Sequence, residues 1–223
     1  MRVGRTALAD AVLGHSFAAN TTAIQPRTLT RLSQLLIATT NPGKLAEFRE
    51  LLQNRVEEIV SSIQVNAPEV EEDEATLQGN ALKKAQTLFE FTGIPSLADD
   101  TGLEVDALNG RPGVWSARYA GPDADANANM AKLIHELKGK TDRSAQFRTA
   151  VAYYDGNGAR LFEGICRGAI LEAPRGDQGF GYDPLFLPDG ESGTFAELAS
   201  EVKNRISHRG RALQSFLNDL ETW

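Results

Sequence analysis

Two adjacent carboxylates, Asp99 and Asp100, followed at once by a small hydroxyl and a glycine, Thr101 and Gly102, are the sharpest chemical signal in this sequence. Apolar residues flank them, Ile94, Leu97 and Ala98 before and Leu103 and Val105 after. Neighbouring acids at a strand end repel each other and resist burial. They read either as a solvated turn or as a divalent-metal site in which one carboxylate also handles a proton. A second signal is Thr39-Thr40-Asn41-Pro42-Gly43-Lys44, a turn between an apolar run and a helical repeat. The free N–H groups of a helix start, with the charge of Lys44 added, suit a phosphate. The spacing and the Lys-Ser/Thr pair of a Walker A loop are absent.

Three further groups carry chemistry. Glu69, Glu71, Glu72, Asp73 and Glu74 form an acidic loop, which is either a solvated loop or the source of one more metal carboxylate. Asn80 and Lys84, four apart on the helix that follows, share a face, and Lys84 there would balance phosphate charge. In Gly179-Phe180-Gly181-Tyr182-Asp183 the glycines let the backbone approach a ligand and leave the Phe180 ring open on one face. That ring is either a core aromatic or a platform for a nucleobase. Lys203 precedes the last helix, and His208 and Arg209 fall in its first turn. Cations there are opposed by the helix dipole, so a ligand carbonyl or phosphate would favour them.

The elements that must position these groups follow from periodicity. Leu35 to Thr39 reads as the first strand, and 44–54 as an amphipathic helix on Leu45, Phe48, Leu51 and Leu52, with Asn41 as N-cap and Pro42 at its first position. A second strand is expected over 57–65, around Ile59, Val60 and Ile63. Thr76 opens a helix striped by Leu77, Ala81, Ala85 and Leu88, closed by Gly93 and Pro95. Asp123 is expected to cap a helix facing inward with Met130, Leu133, Ile134 and Leu137, on which His135 lies away from any motif. Phe147 to Tyr154 and Ala159 to Cys166 flank a hairpin signal at Asp155-Gly156-Asn157-Gly158. A further strand is expected over 168–173 and a short helix from Thr194 to Leu198. Ser207 would cap the last helix, buried through Ala212, Leu213, Phe216, Leu217 and Leu220.

Composition narrows the classes. A net charge of -7 argues against a general nucleic-acid surface, so any anion must meet a local, metal-assisted cradle. The single cysteine, Cys166, excludes an intrachain disulfide and suits a reducing compartment. No apolar run reaches membrane-spanning length. Residues 1–34 carry four arginines and one acid among many Ser, Thr and Ala, a composition shared by transit peptides and by disordered extensions. The folded domain is therefore placed at 35–223 and the location in the cytoplasm, with organellar import through the extension as the alternative.

In order, TTNPGKLAEFRELL (39–52), EEDEATLQGNALKKA (71–85), LADDTGLEVDALNGRPGVWSARYAG (97–121), QGFGYDPLF (178–186) and TFAELASEVKNRISHRGRAL (194–213) resemble the inosine/xanthosine triphosphate pyrophosphatase family. The set spans nearly everything after residue 34. It departs from the family at Thr40, usually glycine there, and at Thr101, usually serine. The resemblance implies an elongated α/β fold with a mixed central sheet, helices and two lobes flanking a substrate cleft, usually as a homodimer. It implies Mg²⁺-dependent hydrolysis of purine nucleoside triphosphates (ITP, dITP, XTP) to the monophosphate and pyrophosphate. On matching positions, Thr39, Thr40, Asn41, Pro42, Gly43 and Lys44 would wrap the triphosphate. Asp100 would accept the proton of the attacking water and, with Glu72, bind the metal, with Asp99 and Glu71 close by. Lys84 and Asn80 would contact phosphate or orient the site, and Thr101 would touch substrate. Phe180, Gly181, Tyr182, Asp183, Lys203, His208 and Arg209 would hold the base. Donors from His208 and Arg209 would pair with a purine 6-oxygen and go unpaired against a 6-amino group. On that expectation, loss of Arg209 erodes the preference for inosine over adenosine. A pyrophosphatase for modified pyrimidine or methylated nucleotides and a regulatory module without catalysis are the rival readings.

Overall fold

A βαβ unit begins the described chain and sets the geometry of everything after it. The computed structural model describes Met1 and residues 30–123 and 125–223. Strand β1 (Leu32–Ile37) crosses over through helix α1 (Pro42–Leu52) to strand β2 (Val56–Ser61), which runs parallel to it. Helix α2 (Leu77–Thr92) then returns to strand β3 (Ser96–Val105), parallel to β1 on its other side. From here the sheet turns antiparallel. Strand β4 (Pro112–Gly113) and, after helix α3 (Ala126–Glu136), strand β5 (Ser144–Tyr154) both pair with β3. Strand β6 (Ala159–Ile170) forms a hairpin with β5, and strand β7 (Phe186–Pro188) closes the far edge. Helices α4 (Ser200–Ile206) and α5 (His208–Leu220) end the chain. The sheet order is β2-β1-β3-β5-β6-β7, with β4 beside β3.

Local chemistry fixes the ends of these elements. The Asn41 side chain accepts from Lys44 N at 3.0 Å with Pro42 in the first turn, so α1 starts directly behind the Thr39–Thr40 turn. The Thr76 hydroxyl accepts from Gly79 N at 3.0 Å, and Gly93, at φ 71°, ends α2 in the left-handed conformation that glycine adopts without strain. Ser207 caps α5 through Gly210 N at 3.1 Å. Asp125, not Asp123, caps α3.

Strand alternation sorts the core into layers. Leu35, Ile37, Leu97, Val151 and Tyr153 face α1 and α5, meeting Phe48, Leu52, Leu213 and Phe216. Leu36, Ala38, Ala98, Ala150 and Ala152 face α2, meeting Ala81, Ala85 and Leu88. The far half of β3 and β5 joins α3 and the 182–195 segment in a separate core around Leu103, Phe147, Leu133 and Phe186. The first two cores flank one half of the sheet and the third the other half, giving the two lobes of a mixed α/β fold.

One mismatch leaves part of an edge of β3 open where they meet. β1 stops at Ile37 and pairs with β3 only at Ser96 and Leu97, and β4 takes up the same edge of β3 at Leu103. Between those points the edge of β3 over residues 98–102 has no strand beside it among the described residues.

Several expectations are corrected. β1 begins at Leu32, inside the segment assigned to an extension, because Leu32 already pairs with Val56. The targeting and disorder readings fall on residues 2–29, outside the described residues. β2 ends at Ser61, and Ile63 sits exposed on the turn beyond it. Gly168 to Ile170 extend β6 rather than forming a strand of their own. Phe195 to Glu197 form a turn, pinned by the buried Thr194 hydroxyl on Arg175 O at 2.8 Å, and the helix starts only at Ser200. No helix among the described residues is long and apolar enough to cross a membrane.

The seat of α5 rests on one glycine. A Cβ on Gly164 of β6 would lie 2.0 Å from His208 O and 2.5 Å from Ala212 N. Gly164→Ala must lift α5 from the sheet, an overpacking cost of about 1–3 kcal/mol. The expected outcome is a melting temperature lowered by several degrees in thermal denaturation, and an unchanged one would show that the helix moves aside freely.

Candidate active site

The site grows from the open edge of β3. Asp99 and Asp100 lie in the middle of this strand, 1% and 5% exposed, not at a strand end or in a solvated turn. Successive strand residues point to opposite faces, so each carboxylate finds its own partners. Asp99 turns toward α1 and α5. Its Oδ2 accepts from Arg209 Nε at 3.1 Å, Arg209 Nη2 at 2.8 Å and Thr101 Oγ1 at 3.1 Å, and lies 3.2 Å from Lys44 Nζ. Asp100 turns toward α2, where Oδ2 accepts from Asn80 Nδ2 at 2.9 Å. Its Oδ1 accepts from Thr101 N at 2.8 Å, and Lys84 Nζ donates to Asp99 O at 2.6 Å. Side chains thus satisfy backbone groups that a neighbouring strand would otherwise take. Lys84 also pairs with Glu72, the half-buried carboxylate of the acidic loop, while Glu71, Asp73 and Glu74 are exposed.

A line of alternating charge runs from this edge to the second lobe. Glu47 sits one turn after Lys44 on α1 and accepts from Arg209 Nη1 and, at 2.7 Å, from Lys203 Nζ. Lys203 donates to Asp183 Oδ2 at 2.7 Å, and the same oxygen accepts from Phe180 N at 2.8 Å. Lys44, Asp99, Arg209, Glu47, Lys203 and Asp183 therefore connect the 39–44 turn to the 179–183 loop. The two also touch: a Cβ on Gly43 would lie 2.4 Å from the Phe180 ring. The ring expected to be open is packed on Gly43, with Lys203 Nζ 4.9 Å from its centroid. Ser62, just past β2, donates to Ile37 O and Thr39 O at 3.1 Å and so holds the turn from behind. Asn41 N donates to Thr39 Oγ1 at 3.2 Å, and Thr40 and Pro42 are exposed at the tip.

The other base-side positions are placed differently. Tyr182 is buried, and its hydroxyl donates to Ser116 O at 2.9 Å, so it anchors the loop whose Gly181 has φ 61°. His208 is buried with its ring stacked 4.5 Å from Phe147, and its Nδ1 has no partner among the described residues. Burial, aided by the Arg209 and Lys203 charges, holds its pKa well below the usual value, so it is neutral at physiological pH. The expected dipole penalty at the start of α5 is met internally: His208 carries no charge, and Arg209 is matched by Asp99 and Glu47.

Glu47 and Ser62 escaped the sequence reading. The one signal for Glu47 was its spacing of three from Lys44, which puts both on one face of α1.

The neighbouring aspartates differ in protonation. Burial would raise Asp99, but Lys44, Arg209 and Lys84 hold it far below the ordinary carboxylate range. Burial raises Asp100, Lys84 and Lys44 oppose this only in part, and the Glu72 charge adds to the rise. Lys44 is lowered by burial and by the charges of Lys84 and Arg209 against the pull of Asp99. Glu72, raised by burial, is brought below its usual value by Lys84 and Lys44.

The donor set suits a hard divalent cation. Glu72 and Asp100 offer carboxylate oxygens, and Asp99 Oδ1 is a buried acceptor with no partner among the described residues. No group of three or more His, Cys, Asp or Glu converges among the described residues.

His208 also gives a stability signature. Unfolded, it takes up a proton near pH 6.5, whereas folded it stays neutral, so its contribution to stability falls as pH drops below about 6.5. Asp100 acts in the opposite sense, since its raised pKa lets the folded form bind a proton first, and Asp99 matters only below about pH 3.9. In His208→Phe, which keeps the stack on Phe147, urea unfolding should show a smaller loss of stability from about pH 7 to about pH 5 than in the wild type. Equal losses would mean that the imidazole titrates normally in place.

A sequence profile of the Ham1 family matches residues 35–219. The chain is 45% identical over 194 residues to a protein of Gluconobacter oxydans named dITP/XTP pyrophosphatase, covering 86% of this chain and 93% of that one. A Desulforamulus reducens protein of the same name is 49% identical, with 84% and 95% covered. Among solved structures, a HAM1 protein from Coxiella burnetii superposes with a TM-score of 0.78 at 37% identity, covering 86% of this chain and all of that one. The Ham1 protein of Staphylococcus aureus gives 0.76 at 35% identity, with 85% and 99% covered. With the profile spanning both lobes and the whole open edge of β3, the chain belongs to the Ham1 family.

Proposed function

We propose that this protein hydrolyses the triphosphates of deaminated purines, ITP, dITP and XTP, to the nucleoside monophosphate and pyrophosphate in a Mg²⁺-dependent reaction. The observation that carries the reading is the pair of adjacent carboxylates on an open strand edge, one locked as an anion and the other raised toward protonation, with a lysine from each flanking helix. The name dITP/XTP pyrophosphatase, borne by relatives that cover most of the chain, supports the substrate class.

The phosphate tail lies over the start of α1, where the N–H groups after Asn41 and the Lys44 ammonium receive it. Lys84 meets it from α2. Asp100 takes the proton of the attacking water as the water oxygen bonds to the α-phosphorus and the bond from that phosphorus to the bridging oxygen breaks. Pyrophosphate leaves with that oxygen, its growing charge stabilised by the two lysines. Glu72 and Asp100 would hold Mg²⁺, which when bound neutralises phosphate charge and acts as a Lewis acid. Asp99 is too strongly paired to accept a proton and instead holds Lys44 and Arg209 in place.

The base lies against the Phe180 loop. Arg209 has five N–H donors, of which four go to Asp99, Glu47 and Thr101. The fifth, on Nη1, would be the one to meet a purine 6-oxygen and would face a donor in adenine, which costs about 1–3 kcal/mol when buried. Arg209→Ala would also strip two buried carboxylates of their partner, so its effect on selectivity must be read together with stability.

A nucleotide panel with and without Mg²⁺, scored for monophosphate and pyrophosphate, tests the reading. ITP, dITP and XTP should turn over only with the metal, and ATP and GTP far more slowly. Asp100→Asn should lower kcat by about 10²- to 10⁴-fold, the usual weight of a general base. Equal turnover of ATP, or wild-type kcat in Asp100→Asn, would remove the proposal. The Asn80 hydrogen bond favours ionised Asp100. Asn80→Ala should therefore move the acid limb of the kcat–pH profile to higher pH, and a shift the other way would take the base role from Asp100.

A further inference from the structure

The surroundings of Arg118 give it a task. The acidic loop over 68–74 has no regular secondary structure, and its five carboxylates repel one another. Its ties are few among the described residues. Glu74 N donates to Asn80 Oδ1 at 3.0 Å, Lys83 pairs with Asp73, Lys84 pairs with Glu72, and Arg118 Nη2 donates to Glu72 O. Two of these fall on Glu72 itself, one on its carboxylate and one on its carbonyl.

The segment carrying Arg118 is firmly fixed. Tyr182 Oη donates to Ser116 O at 2.9 Å, Asn129 Nδ2 to Ala117 O at 2.8 Å, and Ala120 N to Asn129 Oδ1 at 2.6 Å. The Arg118 guanidinium stacks over the Trp115 ring, 4.9 Å from its centroid. That explains a tryptophan left 56% exposed, since its face aims a cation at the loop.

We infer that Arg118, steered by Trp115, is a positioning residue that fixes Glu72 beside Asp100 and thereby sets the affinity of the site for a divalent cation. The inference rests on the proposed reading of Glu72 and Asp100 as metal ligands. Outer-sphere partners of this kind are worth about 10- to 100-fold in metal affinity. A free Arg118 offered to substrate phosphate would instead change nucleotide binding and leave the metal alone.

The test is direct Mn²⁺ binding to the full chain without nucleotide, by electron paramagnetic resonance, in wild type, Glu72→Gln, Arg118→Met, Arg118→Lys and Trp115→Ala. Arg118→Met should raise the Mn²⁺ Kd about tenfold or more. Arg118→Lys should recover part of the loss, because an ammonium still donates to the carbonyl, and Trp115→Ala should show a smaller rise. Wild-type Kd in both Arg118→Met and Trp115→Ala, alongside weakened binding in Glu72→Gln, overturns this inference and leaves the metal site standing. No Mn²⁺ binding by the wild type, or wild-type binding by Glu72→Gln, overturns both. If Arg118→Met does not fold, as judged by circular dichroism, Arg118→Lys and Trp115→Ala decide by the same criterion.

Discussion

The early end of β1 is the constraint on which the site depends. Past Ile37, β3 runs on over residues 98–102 without a strand on that edge among the described residues, while remaining inside the protein. An unpaired buried backbone group costs about 1–3 kcal/mol, and each buried ion several kcal/mol more. The edge therefore cannot be lined by carboxylates unless cations come to it. Four do, Lys44, Lys84, Lys203 and Arg209, against the carboxylates of Glu47, Glu72, Asp99, Asp100 and Asp183. They arrive from α1, α2, α4 and α5, so every helix bordering the cleft is tied to β3 or its partners by charge. Removing one member of such a buried pair costs about 3–5 kcal/mol, chiefly because the other is left uncompensated.

Much of the frame was legible because it is local. The Asn41-Pro42 and Thr76 starts, the Gly93 stop and the turn at 155–158 each depend on residues a few positions apart, and the apolar stripes of α2 and α5 lie where spacing put them. What was not legible depends on distant partners. Asp-Asp looks like a chain break, since nothing nearby says that Arg209, Lys44 and Asn80 will come to bury it. Glu47 reads as ordinary helix surface, because its partners are 156 and 162 residues away. β7 is three residues long and exists only because Gly168, with no side chain, lets it lie against β6. The turn after Thr194 has helix-forming residues, but tertiary contacts of Thr194 and Phe195 override that propensity.

The same charges that allow burial also join the two halves of the cleft. The 39–44 turn and the Phe180 loop sit on different lobes, yet Glu47 holds both Arg209 and Lys203, and Gly43 meets the Phe180 ring. A shift of α1 would thus move the 39–44 turn and the Phe180 loop together, the two regions proposed to hold phosphate and base. Glycine at position 43 is needed for this closeness, because any side chain would collide with the ring.

Adjacency in a strand has a chemical use here. Two carboxylates on one face would share an environment and titrate as a coupled pair. On successive strand positions they share the rigid backbone but face different layers of the fold. Asp99 touches two cations directly and stays ionised, whereas Asp100 accepts from an amide while burial and the charge of Glu72 outweigh the pull of Lys84 and Lys44. Environments that push neighbouring pKa values apart would, in the proposed mechanism, divide the roles of base and anchor. In the proposed mechanism the anchor would also protect the base: by holding Lys44, Asp99 would keep that ammonium from forming a tight pair with Asp100, which would lower its pKa and weaken it as a proton acceptor.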